Sequence, residues 1–398
     1  MPFSLVVGQE RATGVLAHAL EGGRVAHAYL LHGPAGSGTR AAALAFGQAL
    51  LCERRGVTAP PGDACGVCSS CGRAARLAHP DLHVYLPFPK VSPQATRDER
   101  PPDYVERLGR LAEDPYAPAD YRARAKLRDE APSSKPVEHR KTAIDETLRH
   151  DMSYAAAEGG RSVAVLVDAD RIREQAGNTV LKLLEEPNPA VVLVLTAERL
   201  DAVLPTIVSR CQQVRFDPLP PETIEAALVA RGGVEPGRAA FVARMADGSF
   251  TRALELVGSE ALAEHRALAL DYLRAAYSGR PERLSPVVDR AAGLGREALK
   301  GWLGLVLAWV RDLVLARAAG AVAPIVNVDQ AAEIGAFVTR LPDADLGAMA
   351  GLVEEAGGAL AANASPALVL AVLGHALADA MRGRGAAHLV TPLDRATY

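Results

Sequence analysis

The sequence predicts an α/β domain, a parallel sheet covered by helices on both faces, followed by a segment built from helices alone. Two near-continuous apolar runs, Val163-Ala164-Val165-Leu166-Val167 and Val191-Val192-Leu193-Val194-Leu195-Thr196, have the length and composition of strands buried on both faces. Helix-period residues from Ala176 to Glu186 join them, and Pro187 with Pro189 ends that helix. Repeated strand–helix–strand units imply a parallel sheet. From Thr223 onward only helical periodicity is found.

The earlier elements follow the same pattern. An amphipathic stretch from Gln9 to Leu20 stops at Glu21-Gly22-Gly23, where glycines suit a helix end. Ala28-Tyr29-Leu30-Leu31-His32 reads as a short strand and Gly33-Pro34-Ala35-Gly36-Ser37-Gly38 as a glycine-rich turn. Arg40 to Cys52 reads as the helix that follows. Between about Leu86 and Arg140 prolines recur and charges of both signs are dense, which marks an insertion, partly helical and partly loop. Within it Arg122, Arg124, Lys126 and Arg128 scatter around a helix among acidic residues, as on a solvated face. Asp217-Pro218-Leu219-Pro220-Pro221 closes the α/β part. Glycine breaks at Arg231-Gly232-Gly233 and Asp247-Gly248-Ser249 set off a small helical domain ending near Gly258, and an alanine- and leucine-rich bundle follows. The expected domains are 1–217, 218–258 and 259–398, and no convincing internal repeat is found.

At 398 residues the chain is too long for one ordinary core, and two or three domains are expected. The formal charge of -3 excludes an overall basic field for nucleic acid, so any such contact is local or belongs to partners. Met1-Pro2-Phe3-Ser4 lacks the basic start and apolar region of a signal peptide. The most apolar stretch, Trp302 to Ala316, is interrupted by Arg311 and Asp312 and too short to span a bilayer; it reads as a buried helix. A soluble, cytoplasmic protein is expected.

A phosphate-binding loop needs glycines whose amides cradle phosphates, a Lys for the β and γ groups and a Ser/Thr for Mg²⁺. Gly33, Gly36 and Gly38 fit the backbone part, but Thr39 and Arg40 stand where Lys and the hydroxyl belong. Arg40 sits one residue late, so its side chain leaves about 100° around the helix from the required direction. Asp168 ends its strand as a magnesium-site Asp should, yet Ala169 takes the place of the catalytic Glu. Two independent losses argue against hydrolysis; weak nucleotide binding and an ordinary glycine-rich turn both stay open.

Four of the five cysteines, Cys52, Cys65, Cys68 and Cys71, fall in C-x12-C-x2-C-x2-C spacing. In a large chain without a secretory signal this argues for metal over disulfides. Four thiolates close a tetrahedral shell around zinc, which makes the site structural; buried or redox thiols are the alternative. His79 and His83 are rival ligands that the shell does not need, and Cys211 reads as an isolated buried thiol.

Taken together, Gly8-Gln9-Glu10, His27-Ala28-Tyr29-Leu30, the four cysteines after the first helix, Asn178-Thr179-Val180-Leu181-Lys182-Leu183-Leu184-Glu185-Glu186-Pro187 and Ser209-Arg210-Cys211 resemble bacterial clamp-loader AAA+ subunits of DNA polymerase III. The resemblance runs from Val6 to about Leu256, the charged insertion excepted. It implies an AAA+ domain, a helical lid and an all-α collar in a heteromeric ring that loads the sliding clamp onto primer–template DNA. Thr39 and Ala169 point to the delta-prime branch, without ATPase of its own. Its partners would be motor subunits of gamma/tau type and a clamp-opening subunit of delta type. The resemblance makes Arg210 an arginine finger reaching a neighbour's ATP; a surface or salt-bridged arginine is the other reading. Gly248-Ser249-Phe250-Thr251-Arg252-Ala253-Leu254 resembles a second-sensor helix, with Arg252 as its arginine or as a packing residue, and Thr196 matches the first-sensor position loosely. The competing function is a self-sufficient AAA+ motor ATPase; a zinc-dependent nucleic-acid enzyme fails because four thiolates saturate the metal.

Overall fold

A computed structural model describes residues 2–89, 102–118, 137–139, 143–158, 160–320, 323–384 and 389. The chain forms two compact units, Met1–Val234 with Ala246–Glu255, and Glu235–Met245 with Leu256–Tyr398. The segment expected as a lid, 218–258, is therefore shared between them.

The first unit holds strands β1 (Ala28–His32), β2 (Leu82–Tyr85), β3 (Phe88–Pro89), β4 (Val137–Glu138), β5 (Ser162–Leu166), β6 (Val191–Ala197) and β7 (Gln212–Arg215). Its helices are α1 (Glu10–Glu21), α2 (Thr39–Leu51), α3 (Ser69–Ala75), α4 (Pro102–Glu113), α5 (Arg149–Asp151), α6 (Glu174–Glu185), α7 (Pro205–Val208) and α8 (Pro221–Gly232). After α9 (Pro236–Met245) of the second unit, α10 (Phe250–Gly258) begins in the first. Five strands form one parallel sheet in the order β2-β5-β6-β1-β7. Val165 stands level with Val84 and Val194, and Leu30 with Leu195 and Gln213.

Alternation explains the apolar runs. Ala164, Leu166, Leu193, Leu195 and Leu30 pack with Ala176, Val180 and Leu184 of α6. The opposite face takes α2, buried at every position from Ala41 to Leu50. A Cβ on Gly47 would stand 3.1 Å from Leu82 Cδ1 and near Val163 and Val165, so helix and sheet approach closely there. With both faces covered, β5 and β6 have no polar side to show. The edge strand β7 differs: only Val214 is buried, and Gln212, Gln213 and Arg215 are exposed, a polar edge that discourages pairing.

The described parts of the insertion attach to this sheet. β3 and β4 pair antiparallel, and Tyr104 of α4 donates its hydroxyl to Val84 O at 2.9 Å. Arg122, Arg124, Lys126 and Arg128 lie outside the described residues.

The second unit is helical, with α9, α11 (Ala261–Ser278), α12 (Pro281–Ala292), α13 (Arg296–Ala319), α14 (Ala331–Arg340), α15 (Leu346–Ala361) and α16 (Pro366–Met381). The stretch expected as a buried helix forms the centre of α13. Leu299, Trp302, Val306, Val310 and Leu313 recur at three and four residues and are all buried. Asp312 is also fully buried. Its carboxylate accepts from the Val326 and Asn327 amides and from Asn327 Nδ2 at 2.7–2.8 Å, which accounts for a charge inside an apolar helix. Among the described residues no helix is long and apolar enough to cross a membrane.

Candidate functional site

The cysteine cluster is built at the far end of α2. Cys52 caps that helix, Cys68 is the N-cap of α3, and Cys65 and Cys71 lie on either side of it in sequence. The four Sγ atoms lie within 4.8 Å of one another. Cys65 and Cys71 sulfurs are 3.8 Å apart, close to the edge of a tetrahedron with arms of ~2.3 Å, the Zn–S length. Backbone amides point at the sulfurs: Cys65 N–H to Cys52, Cys68 N–H to Cys65 and Cys71 N–H to Cys68, at 3.3–3.4 Å. Such bonds stabilise thiolate: the Val67 amide and then the Cys68 amide hold the Cys65 thiol down at about 6. Burial drives Cys71 and Cys52 the other way. A bound dication deprotonates all four outright. The donor set and spacing fit a closed structural zinc site. His79 and His83 are otherwise engaged: His79 Nδ1 accepts from the Asp81 amide, and His83 Nδ1 faces Asp151 at 3.3 Å. Cys211 lies half-buried against the α6 side of the core, and burial pushes its thiol up to about 12.

Gly33, Gly36, Gly38, Thr39, Arg40, Asp168 and Thr196 converge at the C-terminal ends of β1, β5 and β6, where ligand sites of open parallel sheets form. Gly36 and Gly38 take positive φ of 73° and 107°. A Cβ on Gly36 would come within 2.2 Å of Ser249 Oγ, and Gly36 O accepts from the Phe250 amide at 3.0 Å, so the start of α10 rests on the loop. Gln9, buried, donates to Ser37 O at 2.9 Å and Asp217 O at 2.7 Å, tying the loop to the chain end beyond β7.

Arg40 turns away from the loop to the acidic end of β5. Its Nη2 stands 2.9 Å from Asp168 Oδ2 and 3.3 Å from Glu198 Oε1. The pair is nearly dry, with Arg40 and Asp168 side chains 14% and 2% exposed. Asp168 itself is left-handed (φ 56°), and its amide donates to Thr196 Oγ1 at 2.9 Å. Thr196 thus braces the strand end. Burial, with Asp168 beside them, raises Asp170 and Glu198 above the ordinary carboxylate range. A guanidinium therefore stands between the carboxylates that a magnesium ion would have to approach.

Arg210 lies just after α7, on the surface. Its Nη2 pairs with Glu185 Oε1 at 2.8 Å and its Nη1 donates to Thr206 O at 3.1 Å. Arg252 is exposed in the first turn of α10, its amide bonded to Ser249 Oγ.

A family model described as DNA polymerase III, delta subunit, matches residues 8–220. The chain belongs to this family. DNA polymerase III subunit delta' of Bacillus subtilis is 28% identical over 259 residues, covering 65% of this chain and 62% of that protein. Subunit delta' of Pseudomonas aeruginosa is 32% identical over 201 residues, 50% of this chain and 46% of that one. Subunit gamma/tau of Mycobacterium tuberculosis is 30% identical over 226 residues, 57% and 30%. The chain thus spans less than two-thirds of these relatives' length.

Within this polymerase III family chain, sequence reasoning missed Glu198, Tyr116 and His139. Glu198 carried a signal, because it follows Thr196 at the C-terminal end of a parallel strand. Tyr116 and His139 lie in the insertion, among prolines and charges, and nothing in the pattern set them apart.

Proposed function

We propose that this chain is a delta-prime type subunit of a DNA polymerase III clamp loader. It carries structural zinc, does not hydrolyse ATP itself, and gives Arg210 to a neighbour's ATP site. The observation that carries the reading is the Arg40 guanidinium on Asp168 and Glu198. Phosphoryl transfer needs a cation free to bridge phosphates and a Lys beside them. Here the cation belongs to the protein, and Thr39 stands where Lys is required. The delta' relatives and the family match support the same role. In it, the chain works with motor subunits of gamma/tau type and a clamp-opening delta type subunit, in the cytoplasm, to place the sliding clamp on primer–template DNA.

Arg210 suits a finger chemically. Its side chain is 38% exposed and held by surface contacts, the Glu185 carboxylate and its own turn at Thr206 and Ser209, weak enough to exchange for a phosphate. The gamma/tau relatives support a second reading, a motor subunit with its own ATPase. One assay separates the two: ATP turnover by the chain alone, and with its motor-type partner, clamp and primed DNA. The delta-prime reading expects silence alone and a fall of roughly 10³–10⁵ in the mixture for Arg210→Ala. Turnover by the chain alone, with Arg210→Ala without effect in the mixture, establishes the motor reading instead.

A further inference from the structure

Residues 86–140 carry no motif that explains their presence, yet their described parts reach the phosphate loop at Gly38 and the neighbouring chain end after β5. Tyr116, between Pro115 and Pro118, is 1% exposed. Its hydroxyl accepts from the Val7 amide at 2.8 Å, and a Cβ on Gly38 would stand 3.0 Å from that oxygen. The ring meets Phe250 edge-on at 5.0 Å, with the Arg231 guanidinium 5.7 Å from its centroid. Burial pushes the phenol up to about 12, so it stays neutral. On the other side His139, buried, donates from Nε2 to Val167 O at 2.7 Å, and its amide donates to Arg171 O at 3.1 Å. These bonds bracket Asp168, whose carboxylate holds Arg40.

A phosphate loop works by presenting the amides at the N-terminus of the helix that follows it. Here that helix is α2, its N-cap is Gly38, and the space against Gly38 is taken by a neutral aromatic side chain. We infer that two described residues of the insertion substitute for nucleotide: Tyr116 fills the space against the loop and closes it to polyphosphates, while His139 keeps the end of β5 in the shape that binds Arg40. This deepens the reading of a silent loop and rests on it. To enter, a nucleotide must expose the Tyr116 ring and break its bond to Val7. Removing the ring removes that opposition and leaves the glycine backbone in place.

The test titrates a fluorescent N-methylanthraniloyl ATP, with Mg²⁺, against the full wild-type chain, Tyr116→Phe and Tyr116→Ala. The expected result is no saturable binding by wild type or Tyr116→Phe, and binding roughly tenfold or more tighter by Tyr116→Ala. Amide hydrogen exchange at Val7 is read alongside. It should be slow in the wild type, unmoved by millimolar ATP, and faster by about tenfold or more in Tyr116→Phe. A wild type that binds as tightly as Tyr116→Ala overturns the inference. So does a folded Tyr116→Ala that fails to bind, or a Val7 amide that exchanges freely in the wild type. If Tyr116→Ala does not fold, Val7 exchange in the wild type and Tyr116→Phe decides. Hydrolysis by the wild type alone sinks the silent-loop reading itself; binding without hydrolysis sinks only the plug.

Discussion

Helix α2 has a different kind of site at each end, and the contrast between them is instructive. At its N-terminus the loop, Asp168 and Glu198 find their partners within the chain: Arg40 supplies the positive charge and Thr196 and Gln9 the hydrogen bonds. At its C-terminus four thiols are gathered with little but one another and a few amides around them. Four sulfurs this close suit a cation supplied from outside, whereas the other end already holds a guanidinium of the chain itself.

The largest expected effect follows at the thiolate end. Stripping zinc with a strong chelator should lower the unfolding midpoint of the first unit. The loss is about 4 kcal/mol if free zinc stands a thousandfold above its Kd beforehand. Cys68→Ser should copy the loss and cut the zinc content measured by atomic absorption, while Cys211→Ser leaves both unchanged. Zinc content untouched by Cys68→Ser would show that the four sulfurs are a thiol cluster and nothing more.

At the other end Arg40→Ala should cost about 3 kcal/mol in denaturant unfolding, because it takes from the buried Asp168 carboxylate its nearest cation and leaves Arg171 at 3.9 Å. Arg40→Ala with Asp168→Ala should recover much of that loss, since the uncompensated charge goes with its partner. Equal losses for the single and double variants would mean that Arg40 contributes packing rather than charge, and the contrast between the two ends would weaken.

What the sequence made legible follows from this physics. Parallel strands covered on both faces must be apolar throughout, so Val163–Val167 and Val191–Thr196 announced themselves. Closely spaced cysteines announce a cluster because a single ion must be reached from a short turn. The missing Lys at Thr39 was equally plain. Glu198 and Tyr116 were not, for their roles arise only when β6 and the insertion are brought to the loop by folding. Local pattern reports on neighbours in the chain, and these contacts join residues 78 or more positions apart, such as Gly38 with Tyr116.

The pH dependence of stability sharpens the picture of the internal site. Burial lowers the His139 ring below its ordinary value, so in the folded chain it stays neutral while the unfolded chain takes a proton. Stability from this group is fully present above the unfolded value near 6.5 and is lost as pH falls from there toward the depressed folded value. The slope is at most about 1.4 kcal/mol per pH unit for one proton. His79, lowered by burial too, adds in the same direction. Asp170 and Glu198, raised, act with opposite sign, gaining stability as pH falls through their range. Urea unfolding between pH 7 and 5 should therefore show stability declining below about 6.5, with a shallower slope for His139→Gln. An unchanged slope would remove His139 from the brace behind Asp168.

The smallest effect concerns the surface. Glu185 is half exposed and its ion pair with Arg210 is worth less than about 1 kcal/mol, so Glu185→Ala should leave the unfolding midpoint nearly unmoved. Its consequence belongs to assembly instead. On the proposal that Arg210 serves a neighbour's ATP, loss of Glu185 both releases the guanidinium from a rival anion and removes one contact that orients it. If the tether competes with the neighbour's nucleotide, Glu185→Ala raises turnover of the mixed complex slightly. If it aims the side chain, turnover falls, though by far less than for Arg210→Ala. The sign of that small change tells which of the two the ion pair does, and an unaltered rate shows that the neighbour, not Glu185, sets where Arg210 points.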